Sequence, residues 1–383
     1  MNRFGSKHRY NRRKFLRMAL GLGGLTVAAP LLEACGQIVR TTPAPIPTPN
    51  PTAKPNPTAT PDPTVTPKPT ATPSPTAIPA EEMARVAFVR TTDRAAGVRR
   101  AIELLGINPV QGKQVLLKPN FNSDDPCPGS THPDTLRTLV EELWAMGARS
   151  ITVGDRSGMG DCRSIMRDLG VLEMAEELEF GTTDFDKLAE AKDWVWIRLP
   201  ESHWKRGIPM ARPCLEAETL VQTCCLKTHQ FGGHFTMSLK NSVGMVAKYA
   251  PPNDYAAMDE LHNSARMRSM IAEINAAYTP ALIVLDGVLA FRHGGPHEGT
   301  LASSEVVLAG TDRIAIDAVG VALLRYFGTT AAVARGPIFE QEQIARAVEL
   351  GLGVDMPERI QFVTGDPDSE AYAAEIRQVL LQR

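Results

Sequence analysis

The chain has 383 residues, with 41 Lys plus Arg against 43 Asp plus Glu, a formal charge of -2, and 43% hydrophobic residues. Those averages fit a globular protein, since six cysteines are too few for a disulfide-framed miniprotein and no apolar run reaches the roughly 18–20 residues of a membrane span. Thirty prolines exceed the ordinary share of about 5%, and their placement divides the chain.

The N-terminus carries Asn11-Arg12-Arg13-Lys14-Phe15-Leu16-Arg17, which resembles the twin-arginine export motif. The apolar stretch Met18–Leu32 follows; it contains Gly21, Gly23 and Gly24 and is too short to span a bilayer, so it reads as a signal segment. It ends in Leu32-Glu33-Ala34-Cys35-Gly36, which resembles a bacterial lipobox whose cysteine receives lipid after cleavage, although Glu33 stands where small residues are usual. These features imply the twin-arginine export machinery as a partner. They also imply attachment to the cell membrane through lipid on Cys35, on its extracytoplasmic side.

Fourteen prolines and eleven threonines fall between Thr41 and Ala80. Nothing there can bury a core, and the expectation is a disordered, extended, Pro/Thr-rich tether. The predicted organisation is a signal segment over 1–35, a linker over 36–80 and a folded body over 81–383. The body carries 31 basic and 41 acidic residues, so the near-neutral whole is a sum of a basic leader and tether and an acidic body.

Within the body, hydrophobic spacing predicts a strand at Arg85–Arg90, a helix at Ala95–Leu105 and a strand at Gln114–Leu117 ending in Lys118-Pro119-Asn120. A helix at Pro133–Met146 and a strand at Ser150–Val153 running into Gly154-Asp155 follow. Further along are strands at Trp194–Leu199 and Thr219–Leu226, a long helix at Met258–Ala277, a strand at Ala281–Leu285 reaching Asp286, and a strand at Glu305–Leu308. The C-terminal part adds helices at Ile314–Phe327, near Glu340–Leu350 and near Asp368–Leu381, with a strand at Ile360–Val363 between the last two. The alternation predicts an α/β fold with a mainly parallel sheet flanked by helices.

Ligands of such sheets sit beyond the carboxyl ends of the strands, and those positions are polar here. Lys118, Lys227 and Lys240, each near an amide or imidazole (Asn120, His229, Asn241), are what an anionic small molecule needs. Asp155 and Asp286 are candidates for a general base or for ligands of a divalent metal, with His229 as acid, base or ligand. Asp312 and Asp317 are further carboxylates of the same kind, and a strand-end aspartate is equally a helix cap. His229, His234, His293 and His297 could together assemble a transition-metal site; His293 and His297 have the i, i+4 spacing of one helix face, but Gly294-Gly295-Pro296 between them predicts a loop. Cys224-Cys225 in an apolar strand reads as buried packing. No serine-hydrolase motif and no basic patch with interleaved aromatics is present, which excludes nucleic acid as the expected partner.

The segments Val115–Asn120 (VLLKPN), Leu226–His229 (LKTH), Ser238–Gly244 (SLKNSVG), Leu285–Gly287 (LDG), Gly294–Gly299 (GGPHEG) and Leu308–Gly320 (LAGTDRIAIDAVG) occur in the order typical of the family called domain of unknown function 362, and the chain resembles it over about 86–327. The resemblance implies an α/β fold. In relatives with ferredoxin-like cysteine clusters it also implies redox chemistry, but this chain has no iron–sulfur CxxC motif. Two functions remain open: an envelope enzyme that binds an anion and a metal or redox cofactor, or a non-catalytic solute-binding or assembly lipoprotein using the same crevice.

Overall fold

Apolar runs with no polar face become strands covered on both sides, and this chain uses them to build one large sheet. A computed structural model describes residues 83–251 and 254–382. The expected signal segment 1–35 with its Cys35, and the expected tether 36–80, lie outside the described residues. In chain order the first half contains β1 (Ala84–Arg90), α1 (Arg94–Leu105), β2 (Gln114–Lys118), α2 (Pro133–Ala145), β3 (Ser150–Asp155), α3 (Cys162–Asp168), α4 (Val171–Glu177), β4 (Gly181–Asp184), β5 (Trp194–Ile197), β6 (Ile208–Ala211), α5 (Arg212–Glu216) and β7 (Thr219–His229). The second half contains β8 (His234–Thr236), α6 (Ser238–Asn241), β9 (Tyr249–Ala250), β10 (Tyr255–Ala256), α7 (Ala257–His262), α8 (Met267–Ile274), β11 (Leu282–Gly294), β12 (Gly299–Gly310), α9 (Arg313–Tyr326), α10 (Ala331–Ala334), α11 (Glu342–Glu349), β13 (Ile360–Val363) and α12 (Pro367–Leu380).

The main sheet runs in the order β13, β1, β12, β11, β7, β2, β3, β4, with β8 paired to the end of β7. Neighbours are parallel except β1 with β12, β12 with β11, and β7 with β8. The sheet is therefore mixed with mostly parallel strands, an α/β fold as expected. The antiparallel part arises because 282–310 is one long hairpin, and GGPHEG is its turn. That turn needs glycine: Gly294 and Gly295 have φ of 82° and 69°, where a side chain is strained.

Helices cover both faces. Ala87, Leu117, Val153 and Val284 point to one side, where α1 and α2 contribute Val98, Ala101, Leu139 and Leu143. Val86, Phe88, Leu226 and Leu308 point to the other, under α9, α11 and α12. A third cluster gathers Leu116 and Leu220 with the β5–β6 hairpin and α8. Each large apolar side chain so buried is worth about 1.5–3 kcal/mol. Local signals set the helix ends: Asp93 caps α1 by accepting from the Ala96 N–H at 3.0 Å, and Gly106 stops it in the left-handed region.

Two expectations are corrected. The helix predicted over Met258–Ala277 is two helices, α7 and α8, because Ser264 offers its Oγ to the Arg266 N–H at 3.0 Å and its carbonyl to Met267, a local turn that outcompetes helix propagation. The strand at Trp194–Leu199 ends at Ile197 and pairs only with β6, outside the main sheet. Among the described residues no helix is long and apolar enough to cross a membrane.

Candidate functional site

At the carboxyl ends of β2, β3 and β7 the chain leaves a cleft of about 440 Å³. It is lined by five basic side chains (Lys118, Arg156, Lys227, Lys240, Lys248) and two acidic ones (Asp155, Asp259), a local reversal of the acidic body. Of the residues expected from sequence, Lys118, Asn120, Asp155, Lys227, His229, Lys240 and Asn241 all line this cleft.

The floor is a buried ion pair. Lys118 Nζ lies 2.8 Å from Asp155 Oδ1 and also donates to Asn241 Oδ1 at 3.1 Å and to the Pro119 carbonyl at 2.6 Å. Asp155 accepts from the backbone N–H groups of Phe121 at 2.8 Å and Arg156 at 2.7 Å. Burial pushes its carboxyl above the ordinary carboxylate range, against the pull of Lys118 and those two N–H groups. Gly244 packs directly on the pair, and a Cβ there would collide with the Asp155 carboxylate. This accounts for the glycine that closes SLKNSVG. Asn241 ties the same segment to two strands, donating to the carbonyls of Lys118 at 3.3 Å and Thr223 at 3.2 Å.

Lys227 and His229 share a face of β7. The Lys227 ammonium donates to the carbonyls of Gly129 at 2.5 Å and Pro296 at 3.1 Å, stitching two loops to the strand end. Arg156 is likewise spent on backbone carbonyls, reaching Val243 at 2.6 Å and Val246 at 2.8 Å. Lys248 pairs with Asp186 at 2.8 Å. Lys240 differs. Its side chain lines the cleft, the charged groups that act on it are the cations Lys227 and Arg156, and burial with their repulsion lowers its ammonium to about 7. Burial, reinforced by Lys240 and Lys227, also holds the His229 imidazole well below its ordinary range and so neutral.

Four buried polar atoms of cleft-lining residues have no hydrogen-bond partner among the described residues: Asn120 Oδ1, Asn122 Nδ2, His229 Nδ1 and Thr236 Oγ1. Such atoms are rare in folded proteins and costly when left unmet. At the rim, Met159, Phe231 and Tyr249 are 46%, 54% and 62% exposed, with Phe231 stacked on the His297 ring at 6.3 Å.

Asp286 is not part of this cleft. Its carboxylate is held by Arg94 Nε at 2.8 Å, Thr135 Oγ1 at 2.7 Å and the Val288 N–H at 3.1 Å, where it braces a bulge of β11 against α1 and α2. Asp155, His229 and Asp286 are therefore not brought together as a metal site. Both Asp155 oxygens are already engaged, and among the described residues no group of three His, Cys, Asp or Glu is placed to hold a metal ion. Asp312 is the N-cap of α9, accepting from Ile314 and Ala315. Asp317, pushed up to about 8 by burial, accepts from the Ser238 N–H at 2.7 Å and so anchors the turn from which Lys240 projects. All five cysteines of the described residues are free, and Cys224 and Cys225 are buried.

Sequence reasoning missed Asn122, Lys248 and His262 as cleft-lining residues. Asn122 was within reach, standing two residues past Asn120 at the same strand end. His262 lies in the helix whose break was not foreseen.

A thylakoid-associated protein of Synechocystis sp. is similar at 26% identity over 235 residues, covering 58% of this chain and 68% of that protein. Among solved structures, the lactate racemase apoprotein of Thermoanaerobacterium thermosaccharolyticum is similar with a TM-score of 0.39 and 14% identity, over 77% of this chain and 86% of that one. A Thermotoga maritima protein is similar with a TM-score of 0.37 and 11% identity, over 61% of this chain and 56% of that one. The profile of the family described as Domain of unknown function (DUF362) matches residues 115–322, which span every residue assigned to the cleft, and the chain belongs to that family.

Proposed function

We propose that this protein binds a small anionic molecule in the cleft at the ends of β2, β3 and β7, as an exported envelope protein held to the membrane through lipid on Cys35. The observation that carries the binding reading is the presence of four unpartnered buried polar atoms on residues that line a pocket with five basic and two acidic side chains. Polar groups removed from water without partners cost free energy, and a ligand that meets them recovers it. The exposed apolar rim of Met159, Phe231 and Tyr249 adds a surface for a non-polar portion of the same molecule.

The test uses calorimetric titration of the purified protein with oxalate and with inorganic phosphate. Saturable binding of either, weakened at least tenfold by His229→Ala and by Lys240→Met in protein that still melts cooperatively, supports the reading. Absence of binding by both anions, or binding indifferent to the two substitutions, refutes it. Loss of radiolabelled fatty-acid incorporation in Cys35→Ser tests the anchor separately.

A further inference from the structure

We propose that Lys240 is a nucleophile that forms an imine with its ligand, so that the anion taken by the cleft also carries a carbonyl group, as a 2-oxo acid does. The inference rests on the anion-binding reading above and names the substrate class for that site. It starts from what each basic group already does. Lys118, Lys227, Lys248 and Arg156 all donate to acceptors within the protein, and their charge is committed to holding the cleft together. Lys240 is the basic group of the cleft for which no acceptor is found among the described residues.

Its neighbours suit an amine rather than an ammonium. Two fixed cations, Lys227 and Arg156, press on it, and a lysine beside other cations in a partly dehydrated pocket keeps its lone pair. A site built only to attract anions gains nothing from discharging its free lysine, whereas a nucleophile must be uncharged to react. The second group is His229. A Cβ on Gly233 would stand 2.8 Å from Lys240 Cε and 3.0 Å from His229 Nδ1, so both side chains close on the bare face of the same glycine and lie beside one another. His229 Nδ1 is buried, neutral and without a partner, and it can carry a proton at that place.

The step balances without an oxidant or reductant. The Lys240 nitrogen lone pair attacks the carbonyl carbon, a C–N bond forms, and the carbonyl π pair moves to oxygen, which takes the proton shed by nitrogen. A further proton from solvent, relayed by the His229 imidazole, leaves with that hydroxyl as water and gives the protonated imine. Such an imine draws electrons from the adjoining carbon, which loosens a C–H or C–C bond there. The ligand's carboxylate meanwhile sits in the field of Lys227 and Arg156, near the unmet donors Asn122 Nδ2 and Thr236 Oγ1.

Incubation of the full protein with pyruvate and sodium borohydride, followed by peptide mapping, reads the imine as an irreversible reduced adduct. The expected result is one adduct per chain on the peptide containing Lys240, reduced at least tenfold in Lys240→Arg and in Lys240→Met, with both variants shown by thermal melting to be folded. No adduct, an adduct undiminished in both folded variants, or adducts spread over exposed lysines would overturn the proposal. Oxalate, which has no electrophilic carbonyl of this kind, separates the two readings. Oxalate binding without pyruvate trapping sinks the imine and leaves anion binding standing, while failure of both sinks both.

Discussion

Replacing Lys118 by Met measures how far the cleft floor depends on one ammonium. The side chains of Lys118 and Asp155 are 1% and 3% exposed, and without the lysine the carboxylate keeps only the backbone N–H groups of Phe121 and Arg156. Stranding a buried charge in this way costs about 3–5 kcal/mol. Protonation sets a ceiling on the cost. Each pH unit above the ordinary carboxyl value of 3.8 adds about 1.4 kcal/mol to the price of taking up a proton, giving at most about 4 kcal/mol at pH 7 and about 2 kcal/mol at pH 5. The sign follows from the direction of the shift. In the variant the folded carboxyl titrates above its unfolded counterpart, so the unfolded state releases its proton first and the penalty grows as pH rises from about 4 toward neutrality. Urea unfolding followed by tryptophan fluorescence at pH 5 and pH 7 reads both values. The double variant Lys118→Met with Asp155→Asn, which removes the stranded charge, should regain more than half the loss at pH 7. A penalty under about 1 kcal/mol at pH 7, or one larger at pH 5 than at pH 7, refutes the reasoning.

Gly244→Ala places a Cβ against the Asp155 carboxylate and 2.8 Å from Lys118 Nζ, and the overpacking should cost about 1–3 kcal/mol, read as a lowered urea midpoint; an unchanged midpoint would show that the pair gives way freely. Arg94→Met strands Asp286 and should destabilise by about 3–5 kcal/mol, while oxalate affinity in the folded fraction stays within twofold of the parent. A large loss of affinity would mean that Asp286 acts on the cleft after all.

Much of this arrangement was legible because the relevant signals are local. An apolar run ending in Lys118-Pro119-Asn120, or in Lys227-Thr228-His229, announces both a strand and the polar residues at its mouth, and parallel neighbours then bring those mouths together without further instruction. The placement of Asp286 was not legible. It too follows an apolar run, but a register shift after it sends the strand onward and leaves its carboxylate to Arg94 and Thr135, partners 192 and 151 residues away. Nothing near Leu285-Asp286-Gly287 encodes that. The same holds for Asp317, whose reach to Ser238 spans 79 residues and joins two motifs that look independent in the sequence. The long antiparallel hairpin was hidden for a different reason. Its outer half, from Leu289 to Ser303, mixes exposed and buried positions around bulges and so breaks the alternation by which a strand is recognised.

The position of β1 bears on when this protein can fold. The first described strand is bordered on one side by Val306–Gly310 and on the other by Ile360–Val363, so both neighbours lie far downstream of it in the chain. Pairings that span such lengths of sequence form slowly, because the intervening chain must be closed into a loop before any contact rewards it. Until then Val86 and Phe88 are exposed on an unpaired strand, an invitation to aggregation. Closure of the sheet around β1 therefore waits until segments more than about 200 residues further along have been made.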